Sequence, residues 1–206
     1  MTSPVTLYPN GNGTFPTGWG GTGTPAGDWS QLKDSMDATF ASVAANSVSA
    51  YYLFDDCPSD LYAVTGVSFS FRCSKSAKSP ARNFATIQCV KSDEATALTD
   101  TADVSGSATT ATTLTGSLTL SGDTDKTSWD GMRLKITTAS TGNATAFLYE
   151  VSLTLTYDTA PAGVSSVQVG RNVVGRGIGR GLLRGVNRVW TPPVRQIYVP
   201  AFCQRG

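Results

Sequence analysis

Residues 129–157, WDGMRLKITTASTGNATAFLYEVSLTLTY, decide the fold of this 206-residue chain. Met132, Leu134 and Ile136 alternate with Arg133, Lys135 and Thr137. Beyond a Ser/Thr/Gly/Asn connection, Phe147, Tyr149, Val151, Leu153, Leu155 and Tyr157 alternate with Leu148, Glu150, Ser152, Thr154 and Thr156. Alternation at period two marks strands with one face on a core and the other in water. A helix would scatter these apolar residues around its circumference. The two runs are expected as an antiparallel hairpin.

The same pattern continues outward from this stretch. Val67, Phe69, Phe71 and Cys73 form the apolar face of an earlier strand, Ser74 to Pro80 a polar turn, and Phe84 to Val90 its expected hairpin partner. Val48 to Phe54 alternates and stops at Asp55-Asp56-Cys57-Pro58, and Leu118 and Leu120 begin a further strand. Residues 95–116, almost all Ala, Ser, Thr, Gly and Asp, read as Thr-rich surface strands and long loops. About seven or eight short strands predict an all-β fold, an antiparallel β-sandwich or barrel. One segment departs from the pattern. Trp29, Leu32, Met36, Phe40 and Val43 recur at helical steps, which predicts a short amphipathic helix between Asp28 and Ala45, capped by Asp28.

The two ends differ from this body in composition. Residues 1–27 carry Pro4, Pro9, Pro16, Pro25 and seven glycines, and read as an extended arm. Tyr8, Phe15 and Trp19 are its partner-binding candidates. Phe15 and Trp19 need a surface to cover them, either the body or a neighbouring subunit. The body proper is expected over residues 28–158, and residues 159–206 form a Gly/Arg-rich tail beginning at Pro161 and Gly163. All fifteen acids lie at or before Asp158, so residues 1–163 carry 9 − 15 = −6, while residues 164–206 carry seven Arg and no acid, +7. Such asymmetry predicts that the tail meets a partner surface. Arg176, Arg180, Arg184 and Arg188 stand four apart, as do Val174, Ile178, Leu182 and Val186. Five glycines between 175 and 185 would cost a helix there about 4–5 kcal/mol relative to alanine. The tail is therefore expected to order on a partner, through Arg171, Arg176, Ile178, Arg180, Leu182, Arg184, Arg188, Trp190, Arg195 and Tyr198. Its extended end, TPPVRQIYVPAF, is suited to adding to another subunit's sheet edge.

Catalytic chemistry finds little footing. Histidine is absent, which removes every Ser-His or Cys-His nucleophile and most zinc sites. Cys57, Cys73, Cys89 and Cys203 contain no C-x-x-C spacing, and Cys73 and Cys89 read as small core residues. The acid groups Asp55, Asp56, Asp60 and Asp123, Asp125, Asp130 do not match a Ca²⁺ loop and read as turn residues. GRGIGRG lacks the strand–helix context and the later acid of a dinucleotide fingerprint. No cofactor and no metal are expected. No apolar run approaches the roughly 20 residues of a bilayer span. The N-terminus has neither the basic nor the apolar region of a secretory signal, so none is expected. Tyr8, Trp19, Tyr51, Tyr62 and Trp129 look exposed enough to stack on sugars, against burial as the ordinary role of any one of them.

The order of LYPNGNGTFPTGW, Trp29 and Leu32, the Asp55–Asp60 turn, VTGVSFSFRCSK, SW-x-GMRLKIT and YEVSLTLTYD resembles jelly-roll, concanavalin-like β-sandwich virion proteins of tailed double-stranded-DNA bacteriophages, the capsid-decoration, minor-capsid and fibre-associated type. The resemblance covers roughly residues 5–158 and carries no catalytic motif. It implies a non-enzymatic structural role on the capsid or tail surface of a virion, in symmetric homo-oligomers that are often trimers. The implied partners are the major capsid protein or neighbouring copies, held by the arm and the tail. Two other readings stand beside it: a carbohydrate-binding, lectin-like module at the tail or fibre, and an internal DNA-contacting protein using its Arg tail. The second is the weaker, because the tail interleaves Arg with Val, Leu and Ile instead of aromatics.

Overall fold

A computed structural model describes residues 2–21, 29–33, 38–76, 83–105, 108–139 and 145–160, all within the first of the two units into which the chain divides, Met1–Ser165. These residues form an antiparallel β-sandwich. One sheet, A, runs in the order β3 (Trp19–Gly21), β4 (Ala41–Val43), β11 (Ala146–Thr159), β6 (Leu61–Lys75), β9 (Thr112–Leu118), with β1 (Thr2–Leu7) also paired to β11. The other, B, runs β2 (Pro9–Asn12), β5 (Ser49–Phe54), β10 (Arg133–Thr138), β7 (Phe84–Val90), β8 (Ala102–Asp103). One hydrophobic core lies between them, with Tyr52, Phe54, Phe71, Phe84, Leu134 and Leu153 all buried.

The alternation predicts which residues face inward and misses which strands are neighbours. β10 and β11 do not form the expected hairpin: β10 pairs with β5 and β7 in sheet B, while β11 pairs with β6, β4 and β1 in sheet A. β6 and β7 are likewise in opposite sheets. In a sandwich an apolar face can be buried equally well by the opposite layer, and period two does not distinguish that layer from an adjacent strand. Cys73 and Cys89 therefore belong to opposite sheets; both are buried thiols, as is Cys57. Burial pushes Cys73 up to about 11 and Cys89 to about 12, which keeps both protonated and unreactive.

A second correction concerns β11 itself. Val151, Leu153, Leu155 and Tyr157 are buried as expected, but Ala146 and Leu148 are buried in place of Phe147 and Tyr149. The register against β6 shifts between Leu148 and Glu150. A bulge adds one residue and so exchanges the two faces. Phe147 and Tyr149 consequently point outward, where Phe40 packs edge-on against both.

The helix expected over Asp28–Ala45 is also corrected. Trp29–Leu32 make one 3₁₀ turn that buries Leu32, and Ala41–Val43 form β4. Ala41 and Val43 are buried on either side of Ser42, and the segment is hydrogen-bonded to β3 and β11. Two sheet neighbours satisfy its backbone where a helix would leave a gap in sheet A. Met36 lies outside the described residues.

The N-terminal stretch is extended and belongs to both sheets. Thr2–Leu7 run antiparallel to the Leu153–Asp158 end of β11, and Pro9–Asn12 border β5. Of the two coverings open to Phe15 and Trp19, the structure provides their own body: Phe15 meets Tyr52 edge-on at 5.0 Å, and Trp19 meets Phe84 at 6.0 Å. Trp129, read above as a possible surface ring, is fully buried at the end of the single turn α1 (Lys126–Trp129), with its Nε1 donating to the Asp123 carbonyl.

Close backbone approach makes Gly122 strict. Ser121 and Gly122 both donate to the Leu98 carbonyl, and a Cβ on Gly122 would lie 2.3 Å from the Ala97 carbonyl oxygen. A Cβ on Gly20 would meet nothing nearer than 3.8 Å. Gly122→Ala is expected to lower unfolding stability by about 1–3 kcal/mol, and Gly20→Ala to stay within about 0.5 kcal/mol of the parent. Urea denaturation followed by tryptophan fluorescence measures both.

Candidate functional site

The outward positions of sheet B gather a row that the linear sequence keeps apart. In β5, Ala50, Tyr52 and Phe54 turn inward, which leaves Ser49, Tyr51 and Leu53 on the outer face. In β10, Leu134 and Ile136 turn inward and Arg133, Lys135 and Thr137 outward. Lys135 pairs with Tyr51 on one side and Gln88 of β7 on the other. A phenol ring, an ammonium and an amide therefore lie across the three central strands, over about 10 Å at ordinary strand spacing. All three side chains are half-buried. Gln88 is oriented by donating its Nε2 to the Thr99 carbonyl at 2.9 Å.

An ion pair borders this row. Arg133 Nη1 donates to Glu94 Oε1, with side-chain exposures of 24% and 16%. Glu94 sits in a turn at a left-handed φ of 59°, unusual for a residue other than glycine, and its carboxylate also accepts from the Thr14 backbone N at 3.0 Å. Asp93 fixes that turn by accepting from the backbone N–H groups of Ala95 and Thr96 and from the Thr96 hydroxyl. Burial alone would raise the Glu94 pKa; the Thr14 and Arg133 hydrogen bonds outweigh it and hold the carboxyl below its ordinary value. The Tyr51 phenol is shifted upward, first by burial and then by the Glu94 charge. The N-terminal stretch closes the same corner, with Gly13 N donating to the Tyr51 carbonyl and Tyr51 N to that of Thr14. A Cβ on Gly13 would come within 2.9 Å of the Tyr51 side chain and 2.8 Å of Glu94 Oε1.

The outer face of sheet A is different. Ser68, Ser70, Ser152 and Thr154 stand opposite one another in register, with Arg72 opposite Glu150. Its aromatic rings cover each other: Phe40 and Phe147 lie 5.1 Å apart and nearly perpendicular, and the Tyr149 hydroxyl is bonded to Ser74 Oγ at 2.9 Å. This is a short-hydroxyl surface with a self-packed aromatic end.

Five of the six carboxylates considered for metal or acid–base chemistry have structural tasks. Asp125 caps α1, Asp130 holds Lys126 and the Cys57 backbone N, and Asp123 pairs with Lys91. Asp55 accepts from the Tyr8 backbone N, and Asp60 from the Tyr157 hydroxyl. Among the described residues no three His, Cys, Asp or Glu side chains are grouped to hold a metal. Of the residues expected at a partner surface, Tyr8 is 39% exposed between β1 and β2, while Phe15 and Trp19 pack inward. Arg171, Arg176, Ile178, Arg180, Leu182, Arg184, Arg188, Trp190, Arg195 and Tyr198 lie outside the described residues, as does Cys203. Tyr51 was visible in the sequence as a ring suited to stacking. Gln88, Arg133 and Lys135 carried no signal beyond outward alternation and Glu94 none at all, and only the fold brings them together.

No family model matches the chain, and no curated protein matches it. Solved structures of similar fold include an arabinose-bound α-L-arabinofuranosidase, 13% identical with a TM-score of 0.41 over 68% of this chain, which spans 23% of that one. They also include a family 36 carbohydrate-binding module in complex with calcium and xylotriose, 16% identical with a TM-score of 0.37 over 75% of this chain and 98% of that one. A family 29 carbohydrate-binding module from Piromyces equi is 11% identical with a TM-score of 0.32 over 74% and 90%. At these scores the likenesses do not bear on what this chain binds.

The ion pair carries a pH signature. Glu94 has a folded pKa below its ordinary 4.5, so its contribution is complete above that value and is lost as pH falls through the lowered one. Asp93, held at about 2 by Thr96 and the turn backbone, acts in the same direction at lower pH. Glu94→Gln is expected to be less stable than the parent at neutral pH and to lose less stability between about pH 5 and pH 2. Urea midpoints measured across that range would show parallel curves if the pair contributes nothing.

Proposed function

We propose that this domain is a non-catalytic module that binds an extended carbohydrate chain across the outer face of sheet B. The observation that carries the reading is the row Tyr51–Lys135–Gln88, set in register across three central strands beside the fixed Arg133–Glu94 pair. A sugar ring presents an apolar face and a rim of hydroxyls. Tyr51 supplies a ring with a polar tip for the first. Gln88 and the charged groups supply donors and acceptors for the second, and charged partners make the stronger hydrogen bonds. Because Tyr51, Lys135, Gln88 and Arg133 stand on strands, and Thr99 and Thr14 hold Gln88 and Glu94, little order has to be gained on binding.

The test is affinity electrophoresis of the full chain through gels containing soluble polysaccharides, followed by titration with oligosaccharides of those that retard it. Tyr51→Ala is expected to weaken binding at least tenfold, about 1.4 kcal/mol, with its thermal transition close to that of the parent. Unchanged retardation of Tyr51→Ala would move the ligand off this face.

The virion-decoration reading is favoured by one sequence observation, the −6 body joined to a +7 tail. On that reading residues 164–206 anchor the protein to an acidic shell. Their deletion is expected to leave a folded β-domain that no longer joins particles, scored by mass spectrometry of purified virions. Normal incorporation of the truncated chain would remove the anchor. The two readings are compatible, since a module on a particle surface can also hold a glycan.

A further inference from the structure

The charge distribution on this face points to the class of carbohydrate. We infer that the ligand is an acidic glycan, with the Lys135 ammonium receiving a sugar carboxylate or sulfate between Tyr51 and Gln88; this rests on the reading of sheet B as a glycan face.

Lysine is depleted from the interior of sheets and common at their edges. Lys135 is instead on β10, the third of five strands. Its cross-strand neighbours are Tyr51 and Gln88, neither of which carries a negative charge at neutral pH. Among the described residues its ammonium makes no ion pair and no hydrogen bond. The other cation on the same face of β10, Arg133, lies two residues away, about 7 Å along the strand. The carboxylate that borders this row, Glu94, is already engaged by Arg133 and by the Thr14 backbone N. Among the described residues, two cations on this half-buried face thus stand beside one carboxylate, and the Lys135 charge is left without a partner. Cross-strand pairing ordinarily sets opposite charges against a lysine in this position. The excess is local, since the body as a whole carries −6. A ligand anion at Lys135 would complete the balance, with Tyr51 beneath the sugar ring and the Gln88 carbonyl oxygen accepting from a neighbouring hydroxyl.

The experiment is calorimetric titration of the full chain with three oligosaccharides of equal length, one neutral, one carboxylated (oligogalacturonate) and one sulfated (a heparin fragment), at two salt concentrations. The variants are Lys135→Gln and Tyr51→Ala. The basic tail could attract any polyanion, and the variants separate that case because neither residue belongs to it. Expected is at least tenfold tighter binding of one acidic oligosaccharide than of the neutral one, with that preference lost in Lys135→Gln and all binding weakened in Tyr51→Ala. Preference for the carboxylated or the sulfated chain identifies which anion the site takes. Neutral and acidic chains bound alike, with Lys135→Gln retaining the parent's selectivity, would overturn the inference and leave the glycan face standing. Acidic chains bound equally by the parent and both variants would assign the binding to the tail and overturn the inference. No binding of any oligosaccharide to the parent would overturn the glycan face and the inference together.

Discussion

Strand β11 is the spine on which the rest of the described structure depends. β6 pairs with it along nearly its whole length; on its other side β4 takes residues 146–148 and β1 takes residues 153–158. Its bulge between Leu148 and Glu150 is the critical constraint. Were the strand regular, Phe147 and Tyr149 would enter the core beyond Val151, and Ala146 and Leu148 would be expelled. The core at that end is built for the small pair. Ala146, Ala41 and Val43 are fully buried there, leaving the large rings outside to pack on Phe40. One extra residue in one strand thus decides both the volume of the core at that end and the aromatic content of the outer face of sheet A.

Much of the fold was legible because hydrophobic burial is recorded locally. Met132, Leu134, Ile136, Val151, Leu153 and Leu155 are buried where alternation places them. What was illegible is what alternation does not encode. The strands expected as hairpins, β10 with β11 and β6 with β7, are divided between the two sheets, because the sequence says that a face is apolar and not which layer covers it. The helix over residues 28–45 failed for a related reason. Leu32, Phe40 and Val43 fit a helical period, but Ala41 and Val43 fit period two equally well, and the vacant place between β3 and β11 decided between them.

The binding face was harder to read than the core. Tyr51 could be marked as an aromatic with a use, but Lys135 and Gln88 are 47 residues apart in the sequence and become neighbours only through the register of β10 on β7. Polar outward positions look alike in a sequence, whatever stands beside them. Glu94 was hidden more deeply. Its carboxylate is aimed by a left-handed turn that Asp93 stabilises through Ala95 and Thr96, and no periodicity reports a turn of that kind.

The same corner explains why the N-terminal stretch, which its Pro and Gly content makes look like an extended arm, is part of the face. Asn12 closes β2, and Gly13 and Thr14 then continue alongside β5 as far as Tyr51. Only glycine fits at position 13, because a side chain there would strike both Tyr51 and the Glu94 carboxylate. Thr14 is the second partner of that carboxylate, beside Arg133, so the backbone that positions the ring also holds the charge beside it. Without Thr14, Glu94 would lose one of the hydrogen bonds that offset its burial, and its hold on Arg133 would weaken with it. The N-terminal stretch therefore helps to hold the ion pair as well as to shape the face.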